Sequence, residues 1–307
     1  MNEIENILLE KVADLHGIPV GAYNIRENGK SIARASSANI EIVGKTEAGK
    51  SGIDIYIKPG TKNESVHIPV ILSQSGLKET VYNDFHVGDG ADVLIIAGCG
   101  IHNCGVQDSE HSGIHTFYVG KNAKVKYVEK HYAQGEGTGE KIMNPTTKVY
   151  IEEGGSMEME TMQIKGVDST NRVTVGEVGK NASFIVREKI YTHGKQTAST
   201  HFSVDLNGEN SAVDLVSRSV ASQNSHQEFN AIINGNTKCS GHSECDAIIM
   251  DNGTVTALPA LTANNVDAAL IHEAAIGKIA GEQIIKLMTL GLTEQEAEEQ
   301  IIHGFLK

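Results

Sequence analysis

The stretch Val87-Gly88-Asp89-Gly90-Ala91-Asp92-Val93 decides the fold, because copies of it recur along the chain. Close copies occupy residues 119–125, 178–184 and 207–213, and a looser copy begins at residue 154. Anchored on the small residues at 91, 123, 156, 182 and 211, the copies follow one another at steps of roughly 32, 33, 26 and 29 residues. A turn followed by a strand at such a period is typical of a β-solenoid.

The repeated turns are rich in glycine and asparagine, which adopt positive φ at little cost. Between the turns, residues 40–43 and 53–57 alternate apolar and polar side chains with a period of two, as strands do. We therefore predict a mainly β protein with a solenoid, or β-helix, core. The irregular steps leave one alternative open, a β-sandwich whose hairpins recur about every ten residues.

Both ends of the chain have a helical pattern instead. Apolar residues at helical spacing predict an amphipathic helix over residues 2–16, ended by Gly17. After about residue 266 the pattern is helical again, with one helix over 282–290 and a last one opened by a capping box at Thr293 and Glu296. The predicted organisation is an N-terminal helix and linker (1–34), a β-helix core (35–265) and a C-terminal helical region (266–307).

Composition excludes several classes of function. The 307 residues are 39% hydrophobic and carry a formal net charge of −13, which disfavours nucleic acid and anionic membrane surfaces as partners. No apolar run reaches the ~20 residues that cross a bilayer, and the N-terminus lacks a secretory pattern, so we predict a cytoplasmic protein. Four cysteines are too sparse for a disulfide framework and indicate free thiols.

A first group of chemically capable residues comprises Cys99, Cys104, His111 and His115. The spacing resembles that of a zinc site only superficially. The neighbouring Gly98, Gly100 and Gly105 favour a flexible loop. Three interpretations remain open: incidental thiols in a loop, a structural metal site, or a role in handling sulfur or iron.

A second group is Cys239, His242 and Cys245, and a third is the pair His272 and Glu273. Cys245 opens an apparent strand, where a thiol either packs in the core or is presented as a ligand; spacing alone favours packing. Adjacent residues such as His272 and Glu273 diverge on a strand or a helix. They therefore serve one site only at a bend or where two chains meet.

Several segments resemble the SufB/SufD family of iron–sulfur cluster assembly proteins, and in particular its short SufB-like form. They are residues 113–127, residues 240–249, and a C-terminal signature formed by 272–279, 291–297 and Gly304-Phe305. The resemblance implies a right-handed parallel β-helix that acts as a scaffold rather than as an enzyme. The chain contains no nucleotide-binding motif, so ATP hydrolysis is expected in a partner.

The resemblance also implies a site and its partners. Cys245 is the expected key thiolate, with His272 and Glu273 beside it at the interface of a homodimer. The implied cargo is a transient iron–sulfur cluster, expected to be of the 4Fe–4S type. Sulfur from a cysteine desulfurase or a sulfide source is expected to pass by way of Cys99, Cys245 and a loosely matched Lys148. The C-terminal helices are expected to bind a SufC-type ABC ATPase.

Cys99, Cys104, His111, His115 and Cys239 are further candidate metal ligands. Two alternatives to the scaffold remain. One is a structural SufD-like subunit that recruits the ATPase without holding a cluster. The other is a β-helix enzyme acting on polysaccharide, which the absence of tryptophan and the few other aromatic residues disfavour.

Overall fold

The computed structural model describes residues 3–307, with the side chain of Ile164 left out. The protein is 58% strand and 10% helix, and its strands wind into a β-solenoid of about eight turns with short helices at both termini. This confirms the predicted fold class.

Each turn of the solenoid contributes strands to two facing sheets, A and B. The strands of sheet A are β1 (Ala22–Glu27), β2 (Lys30–Ala35), β5 (Lys62–Leu72), β7 (Asp92–His102), β9 (Lys124–Gln134), β12 (Ser156–Ile164), β14 (Ser183–Thr192), β16 (Ser211–Ala221), β18 (Cys239–Ile249) and β20 (Ala268–Gly277). The strands of sheet B are β3 (Ile40–Gly44), β4 (Gly52–Ile57), β6 (Lys78–Val87), β8 (Ser109–Val119), β10 (Lys141–Met143), β11 (Thr146–Ile151), β13 (Ser169–Val178), β15 (Thr197–Leu206), β17 (His226–Gly235) and β19 (Thr254–Ala263). The helices are α1 (Glu3–Ala13), α2 (Gly281–Met288) and α3 (Glu294–Phe305).

Neighbouring strands within each sheet run parallel and in register along most of the solenoid. In sheet A, for example, β14 pairs with β16 from Ser183 opposite Ala212 to Thr192 opposite Ala221. The antiparallel pairs of the described chain are β1–β2 and β3–β4, both at the N-terminal end. A sandwich built from hairpins needs antiparallel neighbours throughout, so the structure excludes that alternative.

The core lies between the two sheets, because alternate side chains of every strand point inwards. In β14 each second residue is buried, from Phe184 to Thr192. Aromatic rings stack from turn to turn, as Phe85 and Phe117 do with centroids 4.3 Å apart. Inward positions stack at the spacing of the strands, and a polar residue at one of them must therefore find its partner inside.

The recurring turns have the expected backbone conformation. Their left-handed residues, with φ between 53° and 69°, are Gly90, Asn122, Gly154, Asn181 and Asn210. The strand register changes one of the small residues used to measure the repeat. Ser156 pairs with Lys124, so the residue equivalent to Ala123 is Gly155 and not Ser156. The successive steps therefore become about 32, 32, 27 and 29 residues, which keeps the same solenoid period.

The N-terminal region differs from the prediction of a helix and a linker. Helix α1 ends at Ala13, where Asp14 adopts a φ of 53°, and β1 and β2 extend sheet A before residue 35. Gly98 and Gly100 lie in β7 rather than in a flexible loop. A Cβ at Gly98 would lie 2.3 Å from the carbonyl oxygen of Val12, so these glycines let α1 pack closely on the sheet.

The C-terminal region is helical only from residue 281. Residues 268–277, expected to be helical, form β20 because they continue the ladder of β18. Two details near the last helix match the prediction. Gly291 has a φ of 97° after α2, and Thr293 forms a capping box with Glu296 at the start of α3.

Candidate functional site

Cys245 lies in β18 and points into the solenoid. It is 1% exposed, and the register places it opposite Ser217 of β16 on one side and Ala274 of β20 on the other. Burial, together with the nearby carboxylates of Glu188 and Asp246, raises the pKa of the Cys245 thiol to about 12. In this conformation Cys245 is therefore a neutral thiol rather than a thiolate.

His272 and Glu273 are consecutive residues of strand β20 and face opposite ways. His272 is half-buried and lies opposite Ser243 on the inner face. Glu273 is exposed and lies opposite Glu244 on the outer face, where its Oε1 is 3.8 Å from His242 Nε2. The structure thus brings Cys245 and His272 to one face and leaves Glu273 on the other.

The inner face around Cys245 contains polar atoms without partners. Within the described chain, Ser243 Oγ and His272 Nδ1 are buried and make no hydrogen bond. His272 lies diagonally across from Cys245 in the adjacent strand, a separation of roughly 7–8 Å between backbone positions. A thiol and an unpaired imidazole nitrogen are donors that suit iron, so these residues fit the chemistry of a nascent cluster.

Cys99 lies inside the solenoid near its other end and lines a small cavity with His111, His115, His131 and Glu129. The cavity measures about 10 Å³, on the order of the room that one water molecule needs. Burial, assisted by nearby carboxylates, raises the pKa of Cys99 well above its usual value. The structure therefore brings together Cys99 and both histidines that the sequence grouped with it.

Cys104 is not part of this cavity. It is exposed in the loop after β7, where its Sγ lies 3.1 Å from His102 Nε2. Cys239 is buried at the start of β18 and packs in the main core. Cys245 packs in the same core, as its spacing alone favoured. The Cys99 and Cys104 thiols therefore occupy different environments.

The described side chains contain no group of three or more His, Cys, Asp or Glu residues already arranged to hold a metal ion. No helix within residues 3–307 is long and apolar enough to span a bilayer.

A buried polar network, missed from the sequence, begins beside Cys99. Tyr127 donates a hydrogen bond to Glu129 Oε1 at 2.9 Å, so its oxygen accepts the proton of His115 Nδ1 at 2.8 Å. His115 Nε2 is then free to accept from Asn83 at 3.3 Å. This neutral tautomer agrees with burial, which lowers the pKa of His115 to about 4.

The network continues toward Cys245 through a buried cation. Arg172 Nη1 donates to Glu129 Oε2 at 2.5 Å, and its Nε lies 3.7 Å from Glu188 Oε1. Glu188 accepts hydrogen bonds from Thr200 and, at 2.8 Å, from Ser217. Since Ser217 is the register neighbour of Cys245, polar groups connect the Cys99 cavity to Cys245.

This network follows the axis of the solenoid. Cys99 and Cys245 lie on strands of sheet A separated by five strand spacings, or about 24 Å. Thr161 and Gln163 of the intervening strand β12 also point inwards, and each has a buried polar atom that makes no hydrogen bond within the described part of the chain. The interior between the two thiols is thus polar along one edge, unlike an ordinary apolar solenoid core.

The sequence did contain a signal for this network. Alternate positions of β9 are occupied by Tyr127, Glu129 and His131. These residues lie on the same face of the strand as the apolar Val125. The partner that compensates these side chains is not apparent from the sequence, because Arg172 is 43 residues from Glu129. The alternation of side chains along a strand would nevertheless have indicated which charged residues of β9 point inwards.

Lys148 does not belong to this interior. It lies in β11 with its side chain on the exposed face of sheet B. Because inward and outward residues alternate along a strand, Lys148 points away from the interior between the two thiols, and its place on a sulfur route stays a prediction. Arg172, by contrast, is a cation buried in the interior.

An aromatic row on the outer face of sheet B bears on the polysaccharide alternative. Tyr56, His86, Tyr118 and Tyr150 stack on one another with ring centroids 4.7–5.5 Å apart. The faces of adjacent rings cover each other, so the row presents mainly ring edges to solvent. A sugar-binding groove needs exposed faces, and the geometry does not favour that alternative.

Together, the fold and its interior define a β-solenoid protein that encloses two thiols joined by a polar network. A family model described as the SufBD core domain of the SUF system for FeS cluster assembly matches residues 74–305. The chain therefore belongs to the SufBD family.

Curated relatives share this family. An iron–sulfur cluster assembly SufBD family protein of Archaeoglobus fulgidus is 32% identical over 261 residues, covering 84% of this chain and 68% of the relative. A protein of the same description from Methanocaldococcus jannaschii is 29% identical over 270 residues, covering 87% and 84%. One from Pyrococcus horikoshii is 24% identical over 312 residues, covering 99% and 87%.

Proposed function

We propose that this protein is a scaffold on which iron–sulfur clusters are assembled. It acts as a homodimer with a SufC-type ABC ATPase, and Cys245 holds the nascent cluster with His272 and Glu273. Sulfur reaches Cys245 along the polar interior that begins beside Cys99. ATP hydrolysis belongs to the partner.

One observation carries this proposal: a buried polar network extends from the cavity of Cys99 to Ser217, the strand neighbour of the buried Cys245. Buried charges such as Glu129 and Arg172 are costly, and an apolar core would serve stability as well or better. Their retention next to two thiols supports a role in moving protons or sulfur between them. Thiol exchange needs groups that take and return protons, and the histidines of the Cys99 cavity supply them.

The proposal requires a rearrangement at the last turn of the solenoid. Iron is bound by thiolate, whereas the Cys245 thiol is neutral and enclosed. Glu273 lies on the opposite face of β20, so it joins Cys245 only if that strand shifts or if a second chain supplies it. A movement driven by the ATPase would expose the thiol and bring its ligands together.

The last turn and the C-terminal helices are suited to such partners. Strand β20 pairs with β18 on one side, and no strand among the described residues pairs with its other edge. Edges of this kind readily pair with another chain. Helices α2 and α3 follow directly, and Ile285, Met288 and Leu290 are exposed at 62%, 43% and 78%. An exposed apolar helical surface supports the docking of the ATPase there.

Anaerobic reconstitution with ferrous iron and sulfide tests the proposal. Wild type should develop a thiolate-to-iron absorption band, and Cys245→Ala should lose most of it. Cys239→Ala is the matched control, because Cys239 is also a buried thiol of β18 but lies at the first residue of that strand, away from Cys245. The iron bound per dimer, with and without the ATPase, provides the second measurement.

The two variants separate the scaffold from its main alternative. Equal chromophores in wild type and Cys245→Ala would contradict a cluster at Cys245. A wild type that forms no chromophore, alone or with the ATPase, would favour the structural SufD-like subunit, in which Cys245 is only a core residue. Its 1% exposure and raised pKa are the observations that favour this second candidate.

A further inference from the structure

A second thiol–imidazole pair lies outside the buried network. Cys104 is exposed in the loop between β7 and β8, and its Sγ is 3.1 Å from Nε2 of His102, the last residue of β7. Contact at this distance between a thiol and an imidazole is the arrangement that activates cysteine nucleophiles. His102 Nδ1 is buried and has no partner among the described residues, so Nε2 is the nitrogen that exchanges protons with Cys104.

The loop that presents Cys104 is held firmly by its neighbours. Asn103 is fully buried, donates to the carbonyl of Gln107 at 2.8 Å and accepts from the amide of Gly105 at 3.0 Å. The glycine-rich loop of residues 135–139 stacks on it, and a Cβ at Gly137 would lie 2.6 Å from the backbone of Cys104. The position of Cys104 next to His102 is therefore set by the backbone rather than by chance contact of two mobile side chains.

Cys99 cannot play the same part in this conformation. It is 2% exposed, and the cavity around it has room on the order of one water molecule. A persulfide carried by a protein or by a small thiol has to bring its outer sulfur into contact with the attacking sulfur. Cys104 is accessible to such a donor, and Cys99 is not.

We propose that Cys104 is the first acceptor of sulfur, with His102 as its general base; this inference rests on the proposed function. His102 Nε2 takes the thiol proton, and the Cys104 sulfur attacks the outer sulfur of a donor persulfide, R–S–SH. A new S–S bond forms at Cys104 as the donor S–S bond breaks. The departing R–S⁻ takes the proton back from His102, so the products are Cys104 persulfide and R–SH, with no net oxidation.

Uptake of sulfur from glutathione persulfide under anaerobic conditions tests this inference. After timed quenching with iodoacetamide, peptide mass spectrometry locates the added sulfur atom. Wild type should carry it first on Cys104, and His102→Gln should slow uptake at Cys104 by about 10-fold or more. His226→Gln, an exposed histidine of β17 on the other sheet, is the matched control and should leave the rate unchanged.

Two results would overturn the inference. One is equal uptake rates at Cys104 in wild type and His102→Gln, which would make Cys104 merely an accessible thiol. The other is sulfur arriving on Cys99 in Cys104→Ser at the wild-type rate. Uptake by urea-unfolded wild type gives the rate of an unassisted thiol for comparison.

The source of sulfur separates this inference from the proposed function. Cys104→Ser should assemble a cluster normally from iron and free sulfide, yet assemble it slowly from iron and glutathione persulfide. Loss of assembly with both sources would make Cys104 a ligand and contradict its role as an acceptor. If wild type takes up sulfur at Cys104 but forms no cluster from either source, the scaffold proposal fails and the acceptor stands.

Discussion

At the scale of single residues, the interior is stable only because its charges compensate one another. Burial raises the pKa of Glu129, but Arg172 and His131 outweigh that effect and hold it well below the usual value. Glu129 is therefore ionised, and Arg172 lies between it and Glu188. Removing one member of such a buried group of charges destabilises the fold by far more than the whole group stabilises it, because the remaining charge stays buried without a partner.

Replacing Arg172 with methionine should therefore destabilise the fold severely. Two carboxylates, Glu129 and Glu188, would remain buried without their cation, at a cost of about 3–5 kcal/mol in free energy of unfolding. Urea denaturation at neutral pH measures it. Lys148→Met is the control, because Lys148 is an exposed cation on sheet B and should change stability by no more than about 0.5 kcal/mol. A comparable, small loss in both variants would contradict the role given to Arg172.

The neutral state of His115 predicts a dependence of stability on pH. Its folded pKa of about 4 lies below the ordinary 6.5, so the unfolded chain binds this proton first as the pH falls. Protonation of the unfolded chain therefore lowers the free energy of unfolding. This loss of stability is absent above pH 6.5, develops as the pH falls toward 4, and amounts to about 2 kcal/mol by pH 5.

His115→Gln isolates this contribution, because glutamine does not titrate. At pH 7.5 the variant has some lower free energy of unfolding than wild type. At pH 5 this difference in free energy of unfolding should be smaller by about 2 kcal/mol, because only wild type loses stability to protonation. Urea unfolding of both proteins at the two pH values gives the comparison. A difference between them that stays constant with pH would show that His115 is protonated as readily in the folded protein as in the unfolded chain.

At the scale of elements, turns were more predictable from the sequence than the strands beside the termini. Glycine and asparagine mark left-handed residues locally, and the turns at 90, 122 and 181 have that conformation. The strand β20 is different: its alanine, leucine and glutamate residues suit a helix, yet pairing with β18 makes it a strand. Such pairing depends on a neighbour about 29 residues away, which local propensity does not include.

The turn at Asn122 provides a test of this local rule. Asn122 has a φ of 53°, where a β-branched side chain is strained. Asn122→Val should lose about 1–2 kcal/mol of stability, whereas Asn122→Gly should stay within about 0.5 kcal/mol of wild type. Thermal or urea unfolding distinguishes them. Valine tolerated as well as glycine would show that the turn does not depend on the left-handed conformation.

At the scale of the whole molecule, the sequence predicted the solenoid and the candidate thiols but not the interior that joins them. Repeat spacing is visible in one dimension, as are Cys245 and the His272-Glu273 pair. The contact of Arg172 with Glu129 depends on how successive turns stack, which needs the register of the strands. The divergence of His272 and Glu273, by contrast, followed from strand geometry alone.

The two ends of the solenoid differ in how they are finished. At the N-terminal end, β2 turns back antiparallel on β1, and α1 packs on the outer face of sheet A. At the C-terminal end, β20 is an edge strand of ten residues, and Ile271 on it is 56% exposed. A long edge with exposed apolar residues favours pairing with a second copy of the chain at this end.

Ile271→Glu should therefore weaken the proposed homodimer. In a two-fold interface the substitution introduces a carboxylate on both copies, in a protein whose net charge is already −13, next to Glu273. We expect the dimer dissociation constant to rise by about 10-fold or more, equivalent to about 1.4 kcal/mol. Ile32→Glu is the matched control, since Ile32 is exposed at 47% on β2, at the opposite edge of the same sheet. Sedimentation velocity over a range of concentrations measures both dissociation constants. A raised dissociation constant in Ile32→Glu but not in Ile271→Glu would place the interface at the N-terminal end, away from Cys245.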